Sequence, residues 1–302
     1  MQHDERSLTF ATHQHDRAVD HRRDSVWLDE QWHAPTSRVL AVKGSEIEVD
    51  PDTAAPLWRS PQETARGERY LLGIDGRGSA RFAVQVVDEG SPASYRSLRA
   101  LGVAADGAEV DWLCHAVALA QWHATHTHCP RCGTQTVVDA AGAERRCPAD
   151  GTTHFPRVDP AVIVLVTDAQ DRALLGHQAV WPEGRFSTLA GFIEPGETAE
   201  QAVRREIAEE AGVEVAQVEL LATQPWPFPS SLMIGAAARV AGSPEPRPDG
   251  DEIAEVRWFS RDELREAVAD HSVMVPGSIS ISRWLIDRWY GADLPDDDVG
   301  WR

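Results

Sequence analysis

Residues 191–213 constrain the fold of this chain more than any other stretch, because both ends of a helix are written into them. They read Gly191-Phe-Ile-Glu-Pro-Gly-Glu197-Thr-Ala-Glu-Gln-Ala-Val-Arg-Arg205-Glu206-Ile-Ala-Glu209-Glu210-Ala-Gly212-Val213. Thr198 followed by Gln201 is a capping box, in which each side chain satisfies the other residue's backbone donor. Gly212 sits where a left-handed C-terminal cap belongs. Val203, Ile207 and Ala211 stand four apart and make a stripe that must be buried. A helix over 199–211 follows, with a loop before it. On that helix Glu206, Glu209 and Glu210 occupy positions i, i+3 and i+4, where Cβ atoms are roughly 5–6 Å apart. Carboxylates so close repel one another unless something neutralises them. A solvated acidic face, partly paired with Arg204 and Arg205, is the ordinary outcome. The loop alters the balance, because it brings Glu194 and Glu197 to the first turns. Together these groups form a cage of hard oxygen ligands suited to Mg²⁺ or Mn²⁺.

The elements around this helix predict a mixed α+β domain. Residues 162–166 are a continuous apolar run, the pattern of a buried strand. Residues 173–176 and 187–190 are further strand candidates before the helix, and residues 215–223, 232–240 and 254–259 follow it. Ser260, Asp262 and Glu263 open a short helix, and residues 279–289 form the last one. Upstream, Val110, Leu113, Cys114, Val117, Leu119 and Trp122 recur at mostly helical spacing, which predicts a helix over 109–125. Before it, residues 38–42, 70–74 and 81–87 are strand-like runs, and the Pro-rich patch around 51–61 is a loop. The expected division is a β-rich domain with a closing helix over 1–125, a cysteine segment over 126–157, the α+β domain over 158–292, and an acidic tail over 293–302.

Two more segments carry chemistry. Cys129-Pro-Arg-Cys132-Gly133 is a metal-binding knuckle in which the glycine permits the turn. Cys147 lies downstream, and His128 and His154 flank the segment. Cys114 stands apart on an apolar helix stripe, where a buried thiol is expected. Residues 224–231, Gln224-Pro225-Trp226-Pro227-Phe228-Pro229-Ser230-Ser231, alternate prolines with aromatic rings. Alone, such a run is a rigid extended linker.

Charge narrows the choice of function. The chain has 302 residues, and its 48 Asp plus Glu outweigh 29 Lys plus Arg, leaving a net charge of −19. Such a surface repels phosphate backbones and anionic lipid, so broad nucleic-acid or membrane affinity is disfavoured. An anionic substrate stays compatible, since a divalent cation inverts the local field. No apolar run approaches the roughly 20 residues of a membrane helix. Residues 1–24 are rich in His, Asp and Arg and have no apolar core that could serve as a signal peptide. A cytoplasmic protein is expected, and in a reducing compartment clustered cysteines suggest metal before disulfide.

Residues 191–213 resemble the Nudix box, Gly-x5-Glu-x7-Arg-Glu-(aliphatic)-x-Glu-Glu-x-Gly-(aliphatic), at every specified position. The resemblance implies a mixed sheet between helices, an α/β/α sandwich, and hydrolysis of a nucleoside diphosphate linked to another moiety. It implies that Glu206 and Glu210 are metal ligands, with Glu209 in the same cluster and the Ala190 carbonyl as a candidate ligand. Arg205 then orients a carboxylate. Metal ions would neutralise the diphosphate and help generate a hydroxide nucleophile, and a nearby carboxylate would accept the proton. Residues 224–231 resemble the array Ser-Gln-Pro-Trp-Pro-Phe-Pro-x-Ser of the NADH pyrophosphatase branch, with Thr223 in place of the leading Ser.

With the stretch 155–160 (Phe-Pro-Arg-Val-Asp-Pro), that likeness runs from about residue 128 to 289. It implies cleavage of NADH or NAD⁺ to nicotinamide mononucleotide and AMP, and removal of NAD caps from RNA 5′ ends. Phe155, Phe192, Trp226 and Phe228 are then stacking surfaces, and Gln224 and Ser231 hydrogen-bonding groups. Glu252 matches a further ligand position, and Ser280 a small substrate-contacting one. A homodimer is implied, with Phe155 reaching a neighbouring subunit's site. The cysteine segment resembles the branch's zinc ribbon except that Asp150 stands where the pattern has Cys. Either three thiolates and Asp150 hold Zn²⁺, or His154 or His128 completes the site, or the metal is lost and packing keeps the shape. Competing readings are a Nudix hydrolase of ADP-ribose or another dinucleotide, a nucleotide-sensing regulator that does not cut, and a zinc-ribbon nucleic-acid-binding protein. The complete glutamate set opposes the regulator, and the net charge opposes nucleic-acid binding.

Overall fold

Short apolar runs separated by turns do become strands in the N-terminal half, but neighbours with weaker signals join them. In the computed structural model, residues 8–11, 15–64, 67–86, 93–104 and 107–295 are described. They form two compact units. The first comprises residues 12–158 and 226–230. It begins with helix α1 (Ser25–His33), capped by the Asp24 carboxylate, which accepts from the N–H groups of Val26 and Trp27. A five-stranded sheet follows, made of β1 (Arg38–Lys43), β2 (Glu46–Val49), β3 (Glu68–Ile74), β4 (Ala80–Gln85) and β5 (Ser94–Ser97). Its order is β3-β4-β1-β2-β5. The pair β1–β4 is parallel and the other pairs are antiparallel. Val87, expected in the third strand, lies outside the described residues, as does the tail beyond residue 295.

Helices α2 (Leu98–Ala104) and α3 (Gly107–Thr125) complete the sheet layer. The expected stripe on α3 is buried throughout, Cys114 included. Residues 51–53 form a turn and 54–60 are irregular, as expected of a loop, but the segment is pinned to the sheet. Arg59 exchanges backbone hydrogen bonds with Val39, and its guanidinium grips the buried Glu48 carboxylate at 2.6 and 3.0 Å. Beyond α3 comes a small antiparallel sheet of β6 (Val137–Asp139), β7 (Glu144–Arg146) and β8 (Thr153–His154).

Buried imidazoles tie this unit together and make it sensitive to acid. His123 is buried; its Nε2–H donates to the Gly142 carbonyl at 2.8 Å, and Nδ1 accepts from Arg145 at 2.9 Å. Tyr70 stacks on the ring at 4.2 Å. Burial, with Arg145 beside it, pushes the His123 pKa down to about 4. Burial likewise takes His15 to about 4. An unfolded histidine binds its proton near pH 6.5, so between 6.5 and 4 the unfolded chain gains protons that the fold refuses. Stability should therefore fall as pH drops through that window, by roughly 3 kcal/mol for His123 alone by pH 4. Urea midpoints measured from pH 7 to 4 check this, and His123→Gln should flatten part of the fall.

The second unit comprises residues 1–11, 159–225 and 231–302. Its sheet contains β9 (Asp159–Thr167), β10 (Ala173–Gln178), β11 (Leu189–Phe192), β12 (Val215–Trp226), β13 (Ser231–Val240) and β14 (Ile253–Phe259). The order is β12-β13-β9-β10-β14, with β11 antiparallel to β9 off that path. The pair β13–β9 is parallel, which makes the sheet mixed. Side chains alternate faces along a strand, and β9 shows why its run is apolar throughout. Val162, Val164 and Val166 pack with Ala202, Val203, Ile207 and Ala211 of helix α4 (Ala199–Ala211). Ile163 and Leu165 face the other way, in a cluster with residues of α5 (Arg261–Ala269) and α6 (Ile281–Tyr290). Helices cover both faces, so the α/β/α sandwich is present. Both predicted caps of α4 are made: Thr198 and Gln201 form the capping box, and Gly212 takes φ 65°. The strand expected over 187–190 is shifted to 189–192, and Ser187 makes only a bridge to Gly176.

Candidate active site and metal centre

Strand β11 and helix α4 are joined by the loop 193–198, and Arg205 holds the three together. Its Nε and Nη2 donate to the two oxygens of Glu197 at 2.7 and 2.8 Å. Nη1 donates to Glu206 at 2.8 Å and to Glu209 at 3.0 Å, and Nη2 also reaches the Phe192 carbonyl at 2.9 Å. The loop closes on itself, because Glu197 also accepts from the Glu194 N–H at 3.0 Å. The Arg205 guanidinium holds the Glu197 carboxyl well down, at about 2.

The remaining carboxylates are less well compensated. Glu206 lies against Gly191, where a Cβ would overlap its carboxylate carbon and both oxygens. This is the physical reason for glycine there. Burial raises the Glu206 pKa, against the pull of Arg205. Glu210 is only 4% exposed. It accepts from the Ala190 N–H, yet its Oε2 is buried with no hydrogen-bond partner. Burial, then the charges of Glu206, Glu252 and Asp249, push Glu210 up to about 8. Glu252, just before β14, is exposed and accepts from Gln178 at 2.8 Å. A buried, unpaired carboxylate among acids is costly unless a cation completes it. Hard oxygen donors around one orphaned acceptor fit a divalent metal ion. The carboxylates are not drawn tightly together: among the described residues only the cysteine group below brings three candidate ligand atoms within 4.8 Å of one another.

Asp249 was not evident in the sequence as a member of this cluster. It stands in a turn, where its Oδ1 accepts from the N–H groups of Asp251 and Ile253 at 3.1 and 2.9 Å. The only signal is its place in a run of acids before β14.

The array over 224–231 divides into two parts. Gln224 is fully buried. Its Nε2 donates to the carbonyls of Thr9 and Ile279, both at 2.8 Å, and its Oε1 accepts from the Ile281 N–H at 2.9 Å. The amide is thus occupied within the second unit, pinning the end of β12 to the start of α6. Gln224→Leu would strand these partners and should cost about 3 kcal/mol, since each unmet buried group costs roughly 1–3. A urea midpoint lowered to match, with the fold retained, is the expected result. Pro225 precedes the turn, Pro227 is buried, Pro229 follows a cis peptide bond and is exposed, and Ser230 and Ser231 are half-buried. Trp226 and Phe228 meet edge to face at 5.0 Å. Ser280 caps α6, its side chain accepting from the Ser282 N–H at 3.1 Å. Phe155 and Phe192 are exposed, at 66% and 59%.

The cysteine segment contains two copies of one turn. In the first, the Cys129 N–H donates to Thr134 O at 2.8 Å and the Gly133 N–H to Cys129 O at 2.9 Å. In the second, the Cys147 N–H donates to Thr152 O at 2.9 Å and the Gly151 N–H to Cys147 O at 3.0 Å. Gly133 and Gly151 take matching φ values of 73° and 75°. Asp150 therefore stands in the second knuckle where Cys132 stands in the first. One ligand atom from each of Cys129, Cys132, Cys147 and Asp150 lies within 4.8 Å of the others. Asp150 Oδ2 is 3.7 Å from Cys129 Sγ, and the Cys132 and Cys147 sulfurs are 3.5 Å apart. His128 and His154, the alternative fourth ligands, are outside this group. The cluster fits a structural zinc ion.

A capped loop–helix bearing buried carboxylates beside a mixed, two-sided sheet defines a Nudix domain, and the NUDIX domain model matches residues 157–277. The NADH pyrophosphatase zinc ribbon model matches residues 124–155. The chain belongs to the Nudix hydrolase family, in the branch that carries this ribbon. It is 44% identical over 223 residues to the NAD-capped RNA hydrolase NudC of Mycobacterium tuberculosis strain H37Rv, covering 70% of each chain. It is 43% identical over 180 residues to human NAD-capped RNA hydrolase NUDT12, covering 56% of this chain and 39% of that one. Among solved structures, a NUDIX hydrolase from Nitrosomonas europaea aligns at 26% identity with a TM-score of 0.42, over 58% of this chain and 97% of the other. No helix among the described residues is long and apolar enough to cross a membrane.

Proposed function

We propose that this chain hydrolyses the pyrophosphate bond of NAD(H), releasing nicotinamide mononucleotide and AMP, and that it also removes NAD caps from RNA 5′ ends. The observation that carries this reading is Glu210, a buried carboxylate with one unpartnered oxygen in an acidic cluster. A pure nucleotide binder has no use for so costly a group. Glu206, Glu210 and Glu252, with Glu209 and the Ala190 carbonyl, are the groups that would hold Mg²⁺ or Mn²⁺. Such an ion would supply charge neutralisation for the diphosphate and a more acidic water. Arg205 fixes Glu206 and the loop, so that the carboxylates meet substrate already oriented. A carboxylate of the same cluster takes the proton of the attacking water.

Phe155, Phe192, Trp226 and Phe228 are the ring faces suited to the nicotinamide and adenine rings, and Ser231 and Ser280 are hydroxyls suited to hydrogen-bond the substrate. The names of the relatives, all hydrolases of NAD-capped RNA, support the substrate. Zinc held by Cys129, Cys132, Cys147 and Asp150 keeps the ribbon in shape. Free thiols and a metal cluster suit the cytoplasm. Phe155, so exposed, is suited to complete the site of a second copy in a homodimer.

The test compares kcat/KM for NADH, NAD⁺ and ADP-ribose with Mg²⁺ and with Mn²⁺. NADH or NAD⁺ should exceed ADP-ribose, and chelation should abolish turnover. Rapid ADP-ribose cleavage with inert NAD(H) would move the chain to the alternative substrate class.

A further inference from the structure

Strand β10 runs beside β14 in the second unit, and its two faces are distinguished by their neighbours. Leu174 packs in the cluster that holds the buried residues of α4, and Leu175 in the cluster with α5 and α6. Alternation sends Gly176 to the α4 side, where a Cβ would meet Leu189 and Ile253, and His177 to the other side, beside Phe186. Gln178 therefore returns to the side covered by α4. The ladder is irregular at this point. His177 pairs with Glu255 and Gln178 with Ile253, so Ala254 is passed over. An irregularity of this kind re-aims the side chains next to it.

The Gln178 side chain ends on Glu252, its Nε2 donating to Oε1 at 2.8 Å. The backbones meet as well, since the Ala179 N–H donates to the Glu252 carbonyl at 3.4 Å. The turn that carries Glu252 is closed from the other end by the Asp249 carboxylate, which accepts from the Ile253 N–H at 2.9 Å. Among the described residues no other donor reaches the Glu252 carboxylate.

Two features of this contact suit a metal ligand better than a surface pair. An exposed glutamate turns about three bonds, and holding it in one pose costs side-chain entropy. A neutral amide holds it while leaving its charge whole. Arg205, by contrast, pairs with Glu197, Glu206 and Glu209 and offsets their charge. The amide also engages only one oxygen, so the other stays open to an ion. The Glu252 charge acts on both Glu206 and Glu210, which places the three acids in one field.

We propose that Gln178 is a positioning residue of the metal centre, whose amide orients Glu252 so that the open oxygen meets the ion. This rests on the reading of Glu252 as a metal ligand. Gln178 itself touches neither ion nor substrate. Its effect is on how tightly the ion is held, and partners of metal ligands carry about 10–100-fold in affinity.

The test needs no turnover. Mn²⁺ is titrated into the full chain without substrate, and free ion is read from its electron paramagnetic resonance signal. Gln178→Met keeps the length of the side chain and removes the donor; it is expected to weaken Mn²⁺ by about 10-fold or more. Its metal-free melting temperature should match the wild type, because the bond it removes is exposed. Glu252→Gln should weaken Mn²⁺ at least as much. Adding Gln178→Met to Glu252→Gln should then cost nothing further, since Gln178 acts only through that carboxylate. A general loosening of the sheet would add its loss in the double variant, and that additive result would overturn the proposal. Wild-type Mn²⁺ affinity in Gln178→Met, with Glu252→Gln weakened, would overturn it too. Wild-type affinity in Glu252→Gln would place the fault in the ligand reading, and the proposal would fall with it.

Discussion

Glu210→Gln is expected to cut turnover by about a hundredfold or more and, at the same time, to raise the melting temperature of the metal-free protein. The two effects share a cause. Glu210 is buried, one oxygen has no partner, and Glu206, Glu252 and Asp249 oppose its ionisation. The ordinary carboxyl of an unfolded chain ionises near 4.5, while the folded one resists up to about 8. Below 4.5 both states are protonated and the difference vanishes. As pH rises from 4.5 to 8 the unfolded state is increasingly favoured, and above 8 the penalty is complete. At pH 7 it is on the order of 3 kcal/mol. Glutamine keeps the shape and removes the charge, so metal-free stability should rise by several degrees and lose its slope over pH 4.5–8. Added Mn²⁺ should stabilise the wild type far more than the variant, because binding to the native state alone stabilises it. Turnover should fall roughly 10²–10⁴-fold, the scale of losing a positioned acid–base group. Calorimetric scans with and without metal, beside a rate assay, check both halves. A variant less stable than wild type without metal would mean that Glu210 is paired in the native protein.

The second large effect is expected at the cysteine centre, from two substitutions of opposite sign. Cys147 is fully buried and its sulfur is 3.5 Å from that of Cys132. Cys147→Ser should remove bound zinc, because three good ligands become two. The three short strands around it bury little of their own, so metal binding there is also folding energy. The ribbon should open and become sensitive to protease. Asp150→Cys should act the other way. The matching hydrogen bonds and glycine conformations of the two knuckles show that the backbone already suits a thiolate at that position. Zinc release to a chelator should slow by about 10–100-fold, a typical scale for changes in a metal's ligand environment. Zinc content by elemental analysis and release rates with a colorimetric chelator test this without reference to catalysis. Equal release from Asp150→Cys and wild type would mean that Asp150 is not a ligand.

Legibility in the sequence followed the strength of local signals. Helix α4 was readable because a capping box, a four-residue apolar spacing and a terminal glycine agree, and the observed ends match. Strand β9 was readable because helices cover both of its faces. Strands β2 and β5 were missed: each has only four residues, and β5, Ser94–Ser97, is largely polar. Helix α1 was missed because no residue on it is buried. At the site, identity was more legible than environment. The glutamates stood out by spacing, but nothing local indicates that Glu210 is buried while Glu209 is exposed. Gln224 shows environment hidden in the other direction. Its amide looked like a ligand-binding group, and tertiary contacts from Thr9, Ile279 and Ile281 occupy it. Asp249 became visible only through a neighbour far away in sequence, Glu210.

The most direct test of the whole account is product analysis. The purified chain is incubated with NADH and Mn²⁺, and the products are resolved by chromatography and mass spectrometry. Equal amounts of reduced nicotinamide mononucleotide and AMP are predicted, absent in chelator and formed about a hundredfold or more slowly by Glu210→Gln. Intact NADH under these conditions, or release of free nicotinamide and ADP-ribose, would contradict the assignment, because neither breaks the pyrophosphate bond.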